Sequence, residues 1–297
     1  MKSLIKYYFL VIVILFISSC EDPLPIELVD DGNSTGQYDV DVITQEPNSA
    51  VFTGYDSTGI TNSIPLKSSV ISVSGIKNSY KNATVSKGYA EAIFYNTDQP
   101  IKTSFGDTIG FKTLLFGRVT FNGNAARVVP QRLFYRENGV IRDTLVGVKH
   151  ILITNTFPYH SNINFHFDFF GVKPFLQTIK TPPEITAKLK VTGSRQNNDL
   201  RVELKWNAAP KGEVILIIGG LLTGRKEIIP LLRVKSIKTN RVVIRNSLLQ
   251  KIPFEKYDGV IFTLVRRFQF SISTIRLGDI YIASQSIHNI RIDIPKN

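Results

Sequence analysis

Between residues 162 and 294 apolar and polar side chains repeatedly alternate with a period of two, and this pattern constrains the fold more than any other feature. Ile163, Phe165, Phe167 and Phe169 alternate with Asn162, Asn164, His166 and Asp168. Leu200, Val202, Leu204 and Trp206 alternate with Arg201, Glu203 and Lys205. Phe268, Phe270 and Ile272, and later Ile290, Ile292 and Ile294, repeat the arrangement. Successive strand side chains point to opposite faces, so each run predicts a strand with its apolar face inward. Asn122-Gly123-Asn124, Glu137-Asn138-Gly139, Ala209-Pro210-Lys211-Gly212 and Asp258-Gly259 supply turn signals. No long amphipathic helix and no repeat of 20–50 residues interrupts the pattern. The predicted fold class is all-β, with two antiparallel β-sandwich-like domains.

The tandem prolines in Thr181-Pro182-Pro183-Glu184 cannot sit in a central strand and mark a boundary. It separates an N-terminal β domain at 45–180 from a C-terminal one at 184–297. In the first, Gly88 to Asn96 and Gly110 to Phe121 are expected as long strands. The second is the more basic, with 20 Lys and Arg against nine Asp and Glu.

The N-terminus departs from this pattern. Lys2 and Lys6 precede an apolar run from Tyr7 to Ile17, followed by Ser18, Ser19 and Cys20, the single cysteine. The run has 11 residues, against the roughly 20 that a membrane-spanning helix needs. A positive start, a short apolar stretch and small residues describe a secretory leader over 1–19. Residues 20–44 carry seven acids and no Lys or Arg, with Pro23, Pro25, Gly32 and Gly36, and read as a flexible acidic tether.

Ile17-Ser18-Ser19-Cys20 resembles the lipobox of bacterial lipoproteins. The resemblance implies cleavage before Cys20, lipidation of its sulfur and attachment to a membrane. It places the protein in the bacterial cell envelope, lipid-anchored. Glu21 and Asp22 after the cysteine resemble the surface-export signal of some lipoproteins and the inner-membrane retention signal of others; the outer membrane, on its periplasmic or its cell-surface face, is the expected site. With Cys20 lipidated, no disulfide is available and the core alone must supply stability.

The C-terminal segment carries a second resemblance. Leu200 to Trp206 looks like the second strand of a fibronectin type III domain, in which an inward tryptophan anchors the core. Ser247 to Pro253 reads as a helical turn, followed by Tyr257 before the strand Val260–Val265. That arrangement is similar to the tyrosine corner of immunoglobulin-like sandwiches. The resemblance implies structural roles for Trp206 as core anchor and Tyr257 as corner.

Charge indicates the kind of partner. The chain holds 36 Lys and Arg against 24 Asp and Glu. Two of those bases lie in the leader and seven of the acids in the tether, which leaves 34 bases against 17 acids in 45–297. Such a field favours an anionic glycan or an acidic envelope protein. Export from the cytoplasm argues against nucleic acid. Arg225, Lys226, Arg266 and Arg267 are the basic candidates for binding, the last two expected at a strand end beside Phe268.

Catalytic signals are sparse. On one strand face His166 and Asp168 could hold a divalent metal with a third ligand from elsewhere, and His160 shares their parity but lies too far along a straight strand. No G-x-S-x-G elbow appears. The run Gly219 to Lys226 lacks the spacing of a phosphate-binding loop and a following helix. No cofactor is expected. The sequence therefore predicts a non-enzymatic binding, adhesion or assembly protein. A glycan- or polyanion-binding surface protein is one alternative, and a metal-dependent hydrolase centred on His166 and Asp168 is the other.

Overall fold

A computed structural model describes residues 38–42 and 69–293, apart from 115–116, 138–139, 169–172, 208–212, 223–227, 237–239, 251, 253–255 and 276. The leader, Cys20, Arg225 and Lys226 lie outside the described residues. So do Phe169 and the Ala209-Pro210-Lys211-Gly212 turn signal.

The chain is nearly all β. In order it forms β1 (Tyr38–Val42), β2 (Ser69–Tyr80), β3 (Ala83–Ile93), β4 (Tyr95–Lys102), β5 (Thr108–Thr113) and β6 (Arg118–Phe121). There follow β7 (Asn124–Ala125), β8 (Arg127–Glu137), β9 (Val140–Thr154), β10 (Asn162–Asp168), β11 (Phe175–Lys180) and β12 (Ala187–Thr192). The remainder is β13 (Arg201–Trp206), β14 (Glu213–Leu222), β15 (Ile228–Ser236), β16 (Arg241–Ile244), the single-turn α1 (Asn246–Leu249), β17 (Tyr257–Thr274) and β18 (Gly278–Ile292).

One nine-stranded sheet, ordered β1-β15-β14-β17-β18-β2-β3-β9-β8, forms the base. Its pairs are antiparallel except β18 with β2, which run parallel from Ile280 opposite Ser69 to Arg291 opposite Tyr80. The segments 45–180 and 184–297 therefore share one sheet. Two smaller sheets cover the same face of it side by side, giving a sandwich-like arrangement. The three-stranded sheet β12-β13-β16 closes one core, in which Val202, Leu204 and Trp206 meet Leu216, Phe262 and Leu264. The four-stranded sheet β11-β10-β6-β7 closes the other, in which Phe121, Phe165 and Phe167 meet Ile71, Val73, Ile280 and Ile282.

The alternation accounts for both covering sheets. In β10 Ile163, Phe165 and Phe167 are buried while Asn162, Asn164 and Asp168 are exposed. In β13 Val202, Leu204 and Trp206 are buried while Arg201 and Lys205 are exposed. Asn122 and Gly123, with φ of 49° and 78°, make the tight turn between β6 and β7, the conformation Asn-Gly favours.

Four expectations need correction. Gly110 to Phe121 is not one strand: β5 ends at Thr113 and β6 begins at Arg118. Gly117 stands between them at φ 119°, and a side chain there would collide with Phe167 and the Asp168 backbone. Asp258-Gly259 is not a turn but the start of β17, where Gly259 pairs with Leu221. Phe270 lies on the inner face, opposite Ile282, but is not buried: β14 reaches only as far as Arg267 along β17, and Phe270 is 40% exposed. The acidic segment 20–44 is not tether throughout, because Tyr38–Val42 pairs with β15 as β1. There Tyr38, Val40 and Val42 alternate with Asp39 and Asp41, the same strand-forming period.

Candidate functional site

Between the two cores the base sheet carries a polar seam. The segment with the tandem prolines crosses it as a buried strap, with Thr181 and Ile185 fully buried. Thr181 Oγ1 donates to the Pro158 carbonyl and the Ile185 amide donates to Ser286 Oγ at 2.8 Å. The ring of Tyr159 lies on Gly75, where a Cβ would overlap it. Burial, reinforced by the nearby charge of Glu184 and opposed by a hydrogen bond from Ser286, pushes the Tyr159 phenol up to about 12.

Arg266 holds the strap down. It is 1% exposed, in the middle of β17 rather than at a strand end. Its Nη1 donates to the carbonyls of Pro183 and Glu184 at 3.3 and 3.2 Å, and its Nη2 to that of Asn207 at 2.7 Å. Burial lowers its pKa from the ordinary value. Arg266 is thus a structural cation and not a surface one. Arg267 is half-buried and points to the opposite face.

Where the seam opens to solvent, it forms a cleft of about 800 Å³ between β12–β13 and the ends of β2 and β3, with Lys77, Lys188, Lys190, Lys205, Glu203 and His288 in its walls. Lys77 pairs with Glu184 at 2.8 Å. Glu203 receives Lys205 at 3.0 Å and Arg241 at 2.9 Å. The Lys205 hydrogen bond is the foremost cause holding the Glu203 carboxyl below its ordinary range. Lys188 and Lys190 are exposed and make no ion pair with any described residue.

His288 is 4% exposed. Its Nδ1 accepts the Ala187 amide at 2.9 Å and its Nε2 lies 2.9 Å from Ser79 Oγ. An amide can only donate, so the ring proton sits on Nε2 and is offered to Ser79. The hydroxyl of Ser79 then turns to Thr84 Oγ1 at 3.1 Å. Burial, then the charge of Lys77, lowers the imidazole to about 4 against a smaller opposing effect of Glu184. This arrangement cannot take a proton from Ser79, so Ser79 and His288 do not form a nucleophile–base pair.

His166 and Asp168 stand on the outer face of β10, opposite Thr120 and Arg118 of β6. His166 is half-buried with Nε2 unpaired, and Asp168 is exposed. Among the described residues no three His, Cys, Asp or Glu converge as a metal site. His160 is not on β10 but in the turn before it, at φ 51°. Trp206 is 6% exposed within its core. Tyr257 is buried at the start of β17 with its ring over Gly220.

Sequence reasoning singled out none of the cleft's lysines. β-alternation had placed Lys205 outward, but only the fold brings it, Lys188 and Lys190 against Lys77 from more than 100 residues away. Among the described residues no helix is long and apolar enough to cross a membrane. Compared with known proteins, the chain matches no family model and no curated protein sequence.

Proposed function

We propose that this is an envelope lipoprotein, anchored through Cys20, whose role is non-enzymatic binding of an anionic partner in the lysine-lined cleft. The observation that carries the reading is the pairing of two uncompensated cations, Lys188 and Lys190, with a histidine locked neutral beside them. The cleft attracts negative charge and offers no base. The net charge of the chain, +12, steers in the same direction. The lipobox-like Ile17 to Cys20 supports the anchor. The division of 184–297 supports the fibronectin type III-like reading: its first, second and fifth strands form one sheet and its other four lie in the facing one, a Greek-key partition of immunoglobulin-class sandwiches.

The test uses the full chain with Cys20→Ala, applied to an immobilised sulfated polysaccharide as a generic polyanion. Lys188→Glu with Lys190→Glu should elute at clearly lower salt than the parent, since exposed charge contacts are screened at a Debye length of about 8 Å in physiological salt. Equal elution would remove the cleft as the anion site. Incorporation of a labelled fatty acid into the native chain, lost in Cys20→Ala, tests the anchor separately.

A further inference from the structure

The cleft has a second property that its charge does not explain. One of its walls is the unpaired edge of β12, which is the outer strand of the three-stranded sheet. In an antiparallel ladder each residue sends its N–H and C=O to the same side, and the side alternates along the strand. The Trp206 amide donates to Asn240, away from β12, and the Asn207 amide donates to Thr186. Ala187, opposite Trp206, must therefore direct its backbone groups away from β13. Its N–H does so, reaching His288 Nδ1. Two and four residues on, Leu189 and Val191 point their N–H and C=O the same way. No backbone partner meets them among the described residues, and Val191 is 41% exposed.

Building on the binding reading above, we infer that the partner is an extended acidic polypeptide segment that adds to β12 as a further strand. The free N–H and C=O of Leu189 and Val191 supply its ladder bonds, as in strand addition at sheet edges generally. Lys188 and Lys190 project on one face of the new pair, where carboxylates at alternate positions of the incoming strand stand opposite them. Lys77 borders the other side of the cleft. Lysines on an edge normally repel a second copy of the same edge. Here they leave an acidic strand as the one that fits. A glycan is disfavoured because the cleft's aromatic residue, Trp206, is buried in the core and presents no open ring face for a sugar to stack on.

The experiment uses the full chain with Cys20→Ala and an eight-residue blocked peptide of alternating Glu and Val, with the Lys-Val peptide and an oligogalacturonate as comparators. Binding of the Glu-Val peptide with slowed amide exchange across 187–192 is expected, together with at least tenfold weakening by Lys188→Glu with Lys190→Glu. Leu189→Pro removes one outward N–H and leaves the β13 ladder intact, and should weaken the peptide to a similar extent. If that variant fails to fold, exchange at 187–192 in the parent decides alone. Lysine-dependent binding without slowed exchange overturns strand addition and leaves the anionic cleft standing. Oligogalacturonate binding in place of the peptide does the same and makes the ligand a glycan. No anion bound, or binding indifferent to charge reversal, overturns both.

Discussion

Arg266 shows how a single residue can be legible in one respect and opaque in another. Its parity with Leu264 and Phe268 already places it on the apolar face, where a cation must find partners. The sequence does not say that these are two carbonyls of the strap, Pro183 and Glu184, and the carbonyl of Asn207 just after β13. Arg266→Met would strip the Pro183 carbonyl of its donor, while the Glu184 carbonyl keeps the Asn207 side-chain amide at 2.8 Å, and we expect a loss of about 1–3 kcal/mol in urea unfolding. An unchanged midpoint would mean that water satisfies the strap. Gly75→Ala forces Tyr159 off its seat and should cost about 1–3 kcal/mol. His288 has the same inward parity as Ile290. Its folded pKa, about 4, lies below the unfolded value of about 6.5. Its contribution is therefore fully present above pH 6.5 and is lost as pH falls toward 4, by about 3 kcal/mol at most. Replacement with Asn, whose Oδ1 can take the Ala187 amide, should flatten the fall in urea midpoint between pH 7 and 4.5. A slope as steep as the parent's would place the titration on other groups.

Among the elements, legibility follows the number of faces that are buried. β10 and β13 have one buried face each, and their alternation reads directly from the residues. β18 is covered on both, from Ile280 through His288, so its polar Ser284, Gln285 and Ser286 carry no period that marks them as interior. β17 outruns β14, and nothing local in Phe268 to Ile272 reports where the neighbour stops. The strength of β10 lies in its aromatic face: Phe165 meets Phe121 at 5.2 Å and Phe175 at 5.9 Å between ring centres. Phe165→Ala should cost about 3–5 kcal/mol, measured as a shift in thermal or urea midpoint. A cost below about 1 kcal/mol would mean that the facing strands close over the gap.

For the molecule as a whole, two cores rest on one continuous sheet. The prolines of the strap at Thr181 to Glu184 are visible in the sequence; that the segments on either side of them build one sheet is not. Nor is the parallel pairing of β2 with β18, because no periodicity reports a contact between residues about 200 positions apart. The shared sheet predicts shared fate. Trp206, the only tryptophan, sits in the core that does not contain Phe165, so its fluorescence should nevertheless lose its native signal at a lower urea concentration in Phe165→Ala. An unshifted tryptophan transition would show that the halves unfold independently. The parallel junction also sets a timetable for folding. Until β18 has been made and delivered, β2 has one edge without a partner and the core around Ile71 and Val73 lacks Ile280 and Ile282, and closing so long a loop is slow. A chain that travels unfolded and folds at its destination would thus spend its most aggregation-prone interval waiting for its own last strand. In such a chain that interval would end only with the arrival of residues 278–292.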